Sequence, residues 1–374
     1  MFSPKINKIF VNTNSVNSKI FEYTRLANPN ASISEIKTNT RVLDPSYNLI
    51  SLSWKERARQ KNHTISILNR NSSWNIDYNG RSTDFLPSNM IQSGCEYMCA
   101  YCWLNRHGPT YIKLYDDCYK FIDFCVDVET NIDKYREKFK EITKKDLEKY
   151  RDNRHNDFIT IDIGCDDQIT LSNRVTKSEN YNGHIVDIVN SVNEQTKTIM
   201  LSFASKDADF TDYAPFIKNP ERNRIRISLM PEDHRKILEL NTSKIEDRLK
   251  SINYLVDMGF EVHVNLSPIV ITDDFIEQYS DLLSKLNDSL SDKAKKQMAY
   301  EIIFVTHDNV VNENMSKYMP KAYEMITDGP CSLEKKWNKK NVFSYSRRDK
   351  TNLKEEVLKM IREFTPYARI RYMF

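Results

Sequence analysis

The chain has 374 residues, of which 40% are apolar, 11% aromatic and 29% charged. That length holds one large α/β domain with additions or two smaller domains, and the composition is that of a folded chain, which excludes disordered and fibrous classes. A net charge of +3 excludes a polycation that binds nucleic acid through bulk charge; such binding needs a local basic face.

The first residues, MFSPKINKIFVNTN, lack the apolar core of a secretory leader. No run approaches the roughly 18 apolar residues of a membrane helix. With an odd count of seven cysteines, the expectation is a reduced, cytoplasmic, monomeric protein with no membrane partner, whose thiols are free or bind metal. Residues 1–84 are polar and irregular, relieved by short apolar pieces such as HTISIL (63–68). They are expected to form a peripheral N-terminal extension without a core of their own.

From about residue 88, β-rich runs alternate with helical stretches: NMIQSGC (89–95), DFITIDIGC (157–165), KTIMLSFA (197–204), NRIRISLM (223–230), FEVHVNLSPIVI (260–271) and AYEIIFV (299–305). Between them lie amphipathic segments such as 243–259, where Ile245, Leu249, Ile252 and Leu255 recur at helical spacing and Gly259 stops the helix. Strand–helix alternation predicts a parallel sheet, hence an α/β chain with a partial (β/α)6 barrel of the TIM type over 85–310; a doubly wound open sheet is the alternative. Such a barrel keeps its active site at the C-terminal ends of the strands. The runs end there in Cys95, Cys165, Ser205-Lys206, Ser228, Asn265 and Ser267, and Thr306-His307.

The segment 134–155 reads as a charge-laced helix with a solvated face. Residues 311–374 are expected to face substrate or DNA. Within them, 335–350 (KKWNKKNVFSYSRRDK) interleave seven basic residues with Trp337, Phe343 and Tyr345. Basic groups contact phosphates and aromatics stack on exposed bases. Lys339, Lys340, Tyr345, Arg347 and Arg348 are therefore the candidate nucleic-acid contacts.

The densest signal is SGCEYMCAYCW (93–103), which spaces its thiols as Cys95-x3-Cys99-x2-Cys102. Soft thiolates suit zinc and iron–sulfur clusters. A structural zinc site takes four ligands, often as paired CxxC, and no second pair lies near. Three cysteines on one loop can hold three irons of a [4Fe–4S] cube and leave the fourth iron open to an outside ligand. Gly94 allows tight backbone passage into the loop.

This CxxxCxxC, with Tyr101 before the last cysteine and a strand before the first, resembles the signature of the radical S-adenosylmethionine (SAM) superfamily. The resemblance implies that Cys95, Cys99 and Cys102 ligate a [4Fe–4S] cluster whose open iron chelates SAM. It also implies reductive cleavage to a 5′-deoxyadenosyl radical, with electrons from a flavodoxin- or ferredoxin-type donor. Within the superfamily the chain resembles the spore photoproduct lyase family, which reverses a thymine dimer in ultraviolet-irradiated DNA. The similarity runs from about residue 85 to the C-terminus, through GCEYMCAYCWL, FITIDIGCDD, LSFASKDADF, RIRISLM, SKIEDRLKSINYLVDMGFEVHVNLSPIV and YEIIFV to a closing helix and short terminal strand or hairpin.

By that resemblance Tyr101 lies along the SAM adenine, Asp167 and Gln168 near its amino group, Lys206 near its carboxylate, and Ser228 on the fourth strand. Cys165 is the hydrogen-atom donor, and Arg347 or Arg348 is the substrate-contacting arginine. Two departures stand out. Trp103 replaces a tyrosine after the third cysteine, and Asp166-Asp167-Gln168 replaces a Thr-Ser-Asp. Both flank the reacting groups. A lyase-like enzyme acting on another nucleotide or small substrate, and a non-enzymatic metal-binding nucleic-acid-binding protein, are the alternatives the sequence leaves open.

Overall fold

The computed structural model describes residues 5–37, 56, 61–69, 86–87, 91–104, 112–135, 137, 158–164, 168–331, 333–335 and 342–373. Two large sheets organise the chain. The first starts at β1 (Lys8–Asn12), crosses through the helix Lys19–Ala27 to the parallel edge strand β2 (Ser32–Ile36), and continues on the other side of β1 with β3 (Thr64–Leu68). The Ser18 hydroxyl caps that helix, accepting from Phe21 N at 3.3 Å. Strand β7 (Ile112–Tyr115) then pairs in parallel with β3, and β5 (Gln92–Ser93) closes the sheet antiparallel to β7.

The strands from 1–84 have no core separate from the rest of the chain. Ile9, Val11, Ile65 and Ile67 are wholly inaccessible, and they join the core that runs through the rest of the chain. Strands β1, β2 and β3 are five residues long and separated by polar sequence, and the other two of the five strands come from beyond residue 90. The later chain thus completes a sheet whose first three strands pair with one another.

The second sheet is a parallel half-barrel of seven strands. In spatial order they are β17 (Arg369–Met373), β13 (Ala299–Phe304), β12 (Glu261–Ile269), β10 (Asn223–Leu229), β9 (Ile199–Ser205), β8 (Ile159–Gly164) and β4 (Leu86–Pro87). Every neighbouring pair is parallel. The helix Ile245–Asp257 packs on β10 and β12 through Ile245, Leu249, Ile252 and Leu255, the expected stripe, and Gly259 ends its turn at φ 97°.

Two expectations change here. The run 89–95 does not form the first barrel strand. Among the described residues of this stretch, Leu86–Pro87 pair with β8, while Gln92–Ser93 turn away into the first sheet. The charge-laced 134–155 segment lies, beyond residues 134, 135 and 137, outside the described residues.

After β13 a small antiparallel sheet joins β14 (Thr306–Asp308), β16 (Val342–Tyr345) and β15 (Leu333–Lys335). The helix Arg347–Phe364 follows, capped by the Ser346 hydroxyl, which accepts from Asp349 N at 3.0 Å. It buries Leu353, Val357, Met360 and Ile361 and packs against the helix Phe275–Ser289. Strand β17 then adds to the half-barrel at β13.

Alternate residues of each barrel strand face inward, and below the mouth that face is charged. Arg224 on β10 donates to Glu261 on β12 at 3.2 Å, and His263 sits 2.7 Å from the same carboxylate. One step up, Arg226 bridges Asp162 on β8 at 2.8 Å and Glu301 on β13 at 3.3 Å. The terminal strand contributes Tyr372, which donates to Glu301 at 2.7 Å. The next inward positions, Gly164, Ser228 and Asn265, line an open cavity. The charged layers thus form an ion-paired floor under a mouth whose next strand positions are small or neutral.

Burial works to raise the Glu301 carboxyl, but Arg226 and Arg371 hold it below the usual range. Arg226→Met removes the cation shared by two buried carboxylates, leaving Glu301 with Arg371 and Tyr372, and is expected to lose about 3–5 kcal/mol of stability to urea at neutral pH. A depressed carboxyl stabilises the fold above its unfolded value of about 4.3 and loses that effect as pH falls through its folded value. The deficit should therefore shrink on acidification; a deficit independent of pH contradicts the assignment.

Candidate active site

The cysteine loop starts from β5. Gly94 turns the chain at φ 96°, a region that disfavours a side chain, and Cys95 follows. The loop has little structure of its own, and three outside anchors fix it. Strand β6 (Met98–Cys99) pairs antiparallel with β11 (Glu239–Leu240), setting Cys99 opposite Glu239. Ala100 N donates to Leu238 O at 2.8 Å, and a tight turn returns Cys102 N to Cys99 O at 3.1 Å. From the first sheet, the Lys61 ammonium donates to the carbonyls of Cys95 and Tyr97, each at 2.6 Å.

The three cysteines gather with Tyr97, Tyr101 and Leu171 in a small cluster of their own. Burial pushes the Cys99 thiol up to about 12 and Cys95 well above its ordinary value. Such thiols do not ionise alone; a cationic partner that takes thiolates is what the donor set fits. Among the described residues, no three His, Cys, Asp or Glu side chains are grouped to hold a single metal ion. Three thiols spread along one loop suit the separate corners of a polynuclear cluster.

The thiols open into a cavity of about 480 Å³ at the C-terminal ends of the barrel strands, walled by Tyr101, Trp103, Lys206, Ser228, Asn265 and Ser267 among others. A larger groove of about 780 Å³ lies outside the barrel, on the helices Ile245–Asp257 and Phe275–Ser289. Its walls carry surface ion pairs such as Lys285–Asp281 at 3.0 Å and no thiol or histidine, so it is not the site.

One buried network joins the loop to the barrel. Lys206 Nζ donates to the Tyr101 hydroxyl at 2.9 Å and lies 3.2 Å from Glu239 Oε1. The Tyr101 hydroxyl also hydrogen-bonds that carboxylate. Arg248 pairs with the other Glu239 oxygen at 2.8 Å and donates to the Ser228 carbonyl at 2.8 Å. Burial works to raise the Glu239 carboxyl, but Lys206 and Arg248 keep it below the usual range. Burial also works against the Lys206 charge, and the anionic groups around it raise its pKa regardless.

Several expected residues meet here. Cys95, Cys99, Cys102, Tyr101, Trp103, Gln168, Lys206 and Ser228 all line the cavity. Gln168 acts through its neighbours: its amide donates to Ser205 Oγ at 2.7 Å and Thr170 Oγ1 at 3.1 Å, and its carbonyl accepts from Lys206 N at 3.3 Å. Trp103, 49% exposed, stands at the rim. Cys165 and Asp167 lie outside the described residues, as do Lys339 and Lys340, whereas Arg347 and Arg348 are exposed in the first turn of their helix.

Tyr345 is corrected. It is 2% exposed, its hydroxyl accepts from Ile271 N at 2.9 Å, and its ring meets Phe304 edge-on, so it is a core residue and no stacking surface. The sequence reading missed Lys61, Glu239 and Arg248. The one local hint was ELN (239–241), where Asn241 takes φ 68° in a tight turn.

A parallel half-barrel with three thiols on the loop at its mouth defines a radical SAM enzyme. The model of the spore photoproduct lyase family matches residues 57–374, and the chain belongs to that family. It is 24% identical over 287 residues to the spore photoproduct lyase of Clostridium acetobutylicum, covering 76% of this chain and 75% of that one. To the Bacillus subtilis lyase it is 22% identical over 284 residues, covering 75% and 74%. Among solved structures, spore photoproduct lyase complexed with dinucleoside spore photoproduct superposes with a TM-score of 0.75 over 100% of both chains at 16% identity. A mutant with bound AdoMet and the same dinucleoside gives 0.75 over 99% of both at 15%. These structures share the fold of this chain.

Glu239→Leu removes the buried anion that Arg248 and Lys206 share. It is expected to lose about 3–5 kcal/mol of stability in urea, whereas Tyr101→Phe, which removes one hydrogen-bonding hydroxyl, should lose about 1 kcal/mol. Equal losses would mean that the network is not centred on Glu239.

Proposed function

We propose that this chain repairs a thymine photoproduct in DNA by radical SAM chemistry, acting on the lesion that its relatives bind as a dinucleoside. The observation that carries this reading is the three-thiol loop at the mouth of the half-barrel, in a chain matched to the lyase family over 57–374. The [4Fe–4S] cluster and SAM, when bound, supply the 5′-deoxyadenosyl radical that takes hydrogen from the thymine-derived substrate. Everything else falls to side chains.

Cys95, Cys99 and Cys102 would hold three irons. Lys206, a cation on the cavity wall, is suited to the SAM carboxylate, and its charge is secured in advance by Glu239. The Ser228 strand end and the Tyr101 backbone offer further polar contacts, with Asp167 toward the amino group. Gln168 fits a positioning part better than a ligand's, since its amide already braces Ser205 and the Lys206 backbone. Cys165 directly follows Gly164, which lines the cavity. Its weak S–H bond suits it to give a hydrogen atom to the thymine radical left after the methylene bridge breaks. Trp103 at the rim would help exclude water.

A nucleotide inside a duplex must flip out to reach such a cavity. Arg347 and Arg348 stand exposed at the positive end of their helix, where cations do nothing for the helix itself; with Lys339 and Lys340 they are the best candidates for the strand-facing surface within 311–374. We further assign a flavodoxin- or ferredoxin-type electron donor, a monomeric state and a cytoplasmic location. Among the described residues no helix is long and apolar enough to cross a membrane.

Anaerobic incubation with SAM, dithionite and the dinucleoside photoproduct is expected to release thymidine. In Cys165→Ala other products should replace it; unchanged products would make Cys165 a packing residue. Cleavage of SAM without thymidine release would favour another nucleotide as substrate. Charge reversal at Lys339, Lys340, Arg347 and Arg348 should weaken DNA binding and lower the slope of log affinity against log salt by about 0.9 for each phosphate no longer neutralised. An unchanged slope moves the DNA surface elsewhere.

A further inference from the structure

Lys61 is 2% exposed, and its ammonium donates to the carbonyls of Cys95 and Tyr97 at 2.6 Å each. No carboxylate among the described residues forms an ion pair with it; the nearby Glu96 carboxyl makes no hydrogen bond, with both oxygens buried. A buried ammonium with no directly paired anion is expensive, and two neutral carbonyls with one unpaired carboxyl nearby do not balance it. It lies within electrostatic reach of Cys95, Cys99 and Cys102 together, as well as of Glu96. Lys61 runs directly into β3, the centre of the first sheet, and β7 links β3 to β5, which ends two residues before Cys95.

We propose that Lys61 is the buried counter-cation of the iron–sulfur cluster and the clamp of its loop, a positioning residue that makes the cluster easier to reduce. This rests on the cluster reading above. A cube held by three thiolates is net negative and gains one more negative charge when an external reductant such as dithionite gives it an electron. Net charge around a cluster and its burial set the reduction potential. A fixed cation in a dry site favours the reduced state most. The first sheet thereby acquires a task in the reaction: it carries the charge and the clamp to the loop.

The test compares reconstituted wild type, Lys61→Met and Lys61→Arg by potentiometric titration, following the paramagnetic signal of the reduced cluster, with iron content and far-ultraviolet circular dichroism as controls. In Lys61→Met the reduction equilibrium should fall about tenfold or more, which is about 59 mV for a one-electron couple. Lys61→Arg, which keeps charge and donors, should stay near wild type. A Lys61→Met protein with full iron and an unshifted potential overturns the proposal, as does an equal shift in both variants. Should Lys61→Met lose the cluster, Lys61→Gln carries the same comparison with the same two outcomes. Wild-type protein that binds no iron would instead remove the cluster reading, and this inference with it.

Discussion

Three thiols can hold a cluster only if the backbone between them is kept from relaxing around it. The loop 95–102 has no helix and only a two-residue strand to stiffen it, so the restraint comes from elsewhere. Lys61 grips it from the first sheet, β11 pairs with it from the barrel, and Glu239 ties Tyr101 to Lys206 and Arg248. The loop is therefore where two sheets meet, and both folds are needed to shape it.

The electrostatic design follows from that placement. Deep in the half-barrel, Arg224 and Arg226 are matched against Glu261, Asp162 and Glu301, and the layer is closed by the terminal strand. Higher up, at the cavity, the inward residues become small and uncharged. Near the thiols stand the Glu239 network, Lys61 and the Glu96 carboxyl. A radical enzyme gains from this division: the floor fixes strand register through ionic contacts that tolerate no slip, and the mouth keeps room for a cofactor and a base.

Much of this was legible in the sequence, for local reasons. The cysteine spacing lies within eight residues and needs no fold to be read. Five of the barrel strands, from 159–164 to 299–304, fall inside or within one residue of the runs that alternation predicts. The first run misled, because a β-rich sequence does not say which sheet will take it: 92–93 paired with β7 instead of β8. The first sheet was missed because its short strands are closed by partners far along the chain. Distance also hid the site's other half. Lys61 is 34 residues from Cys95, and Glu239 is 138 from Tyr101, with only the ELN turn beside it as a local hint. Tyr345 looked like a stacking aromatic in a basic run, yet the β16 register turns it inward.

The central claim is that the loop holds an iron cube by three corners with the fourth left for SAM. The most direct measurement is the paramagnetic resonance spectrum of anaerobically purified, dithionite-reduced protein, recorded with and without SAM on samples of known iron and sulfide content. The account predicts matched iron and sulfide and a spectrum that changes when SAM is added. Protein with no iron, or a cluster spectrum indifferent to SAM, would contradict it.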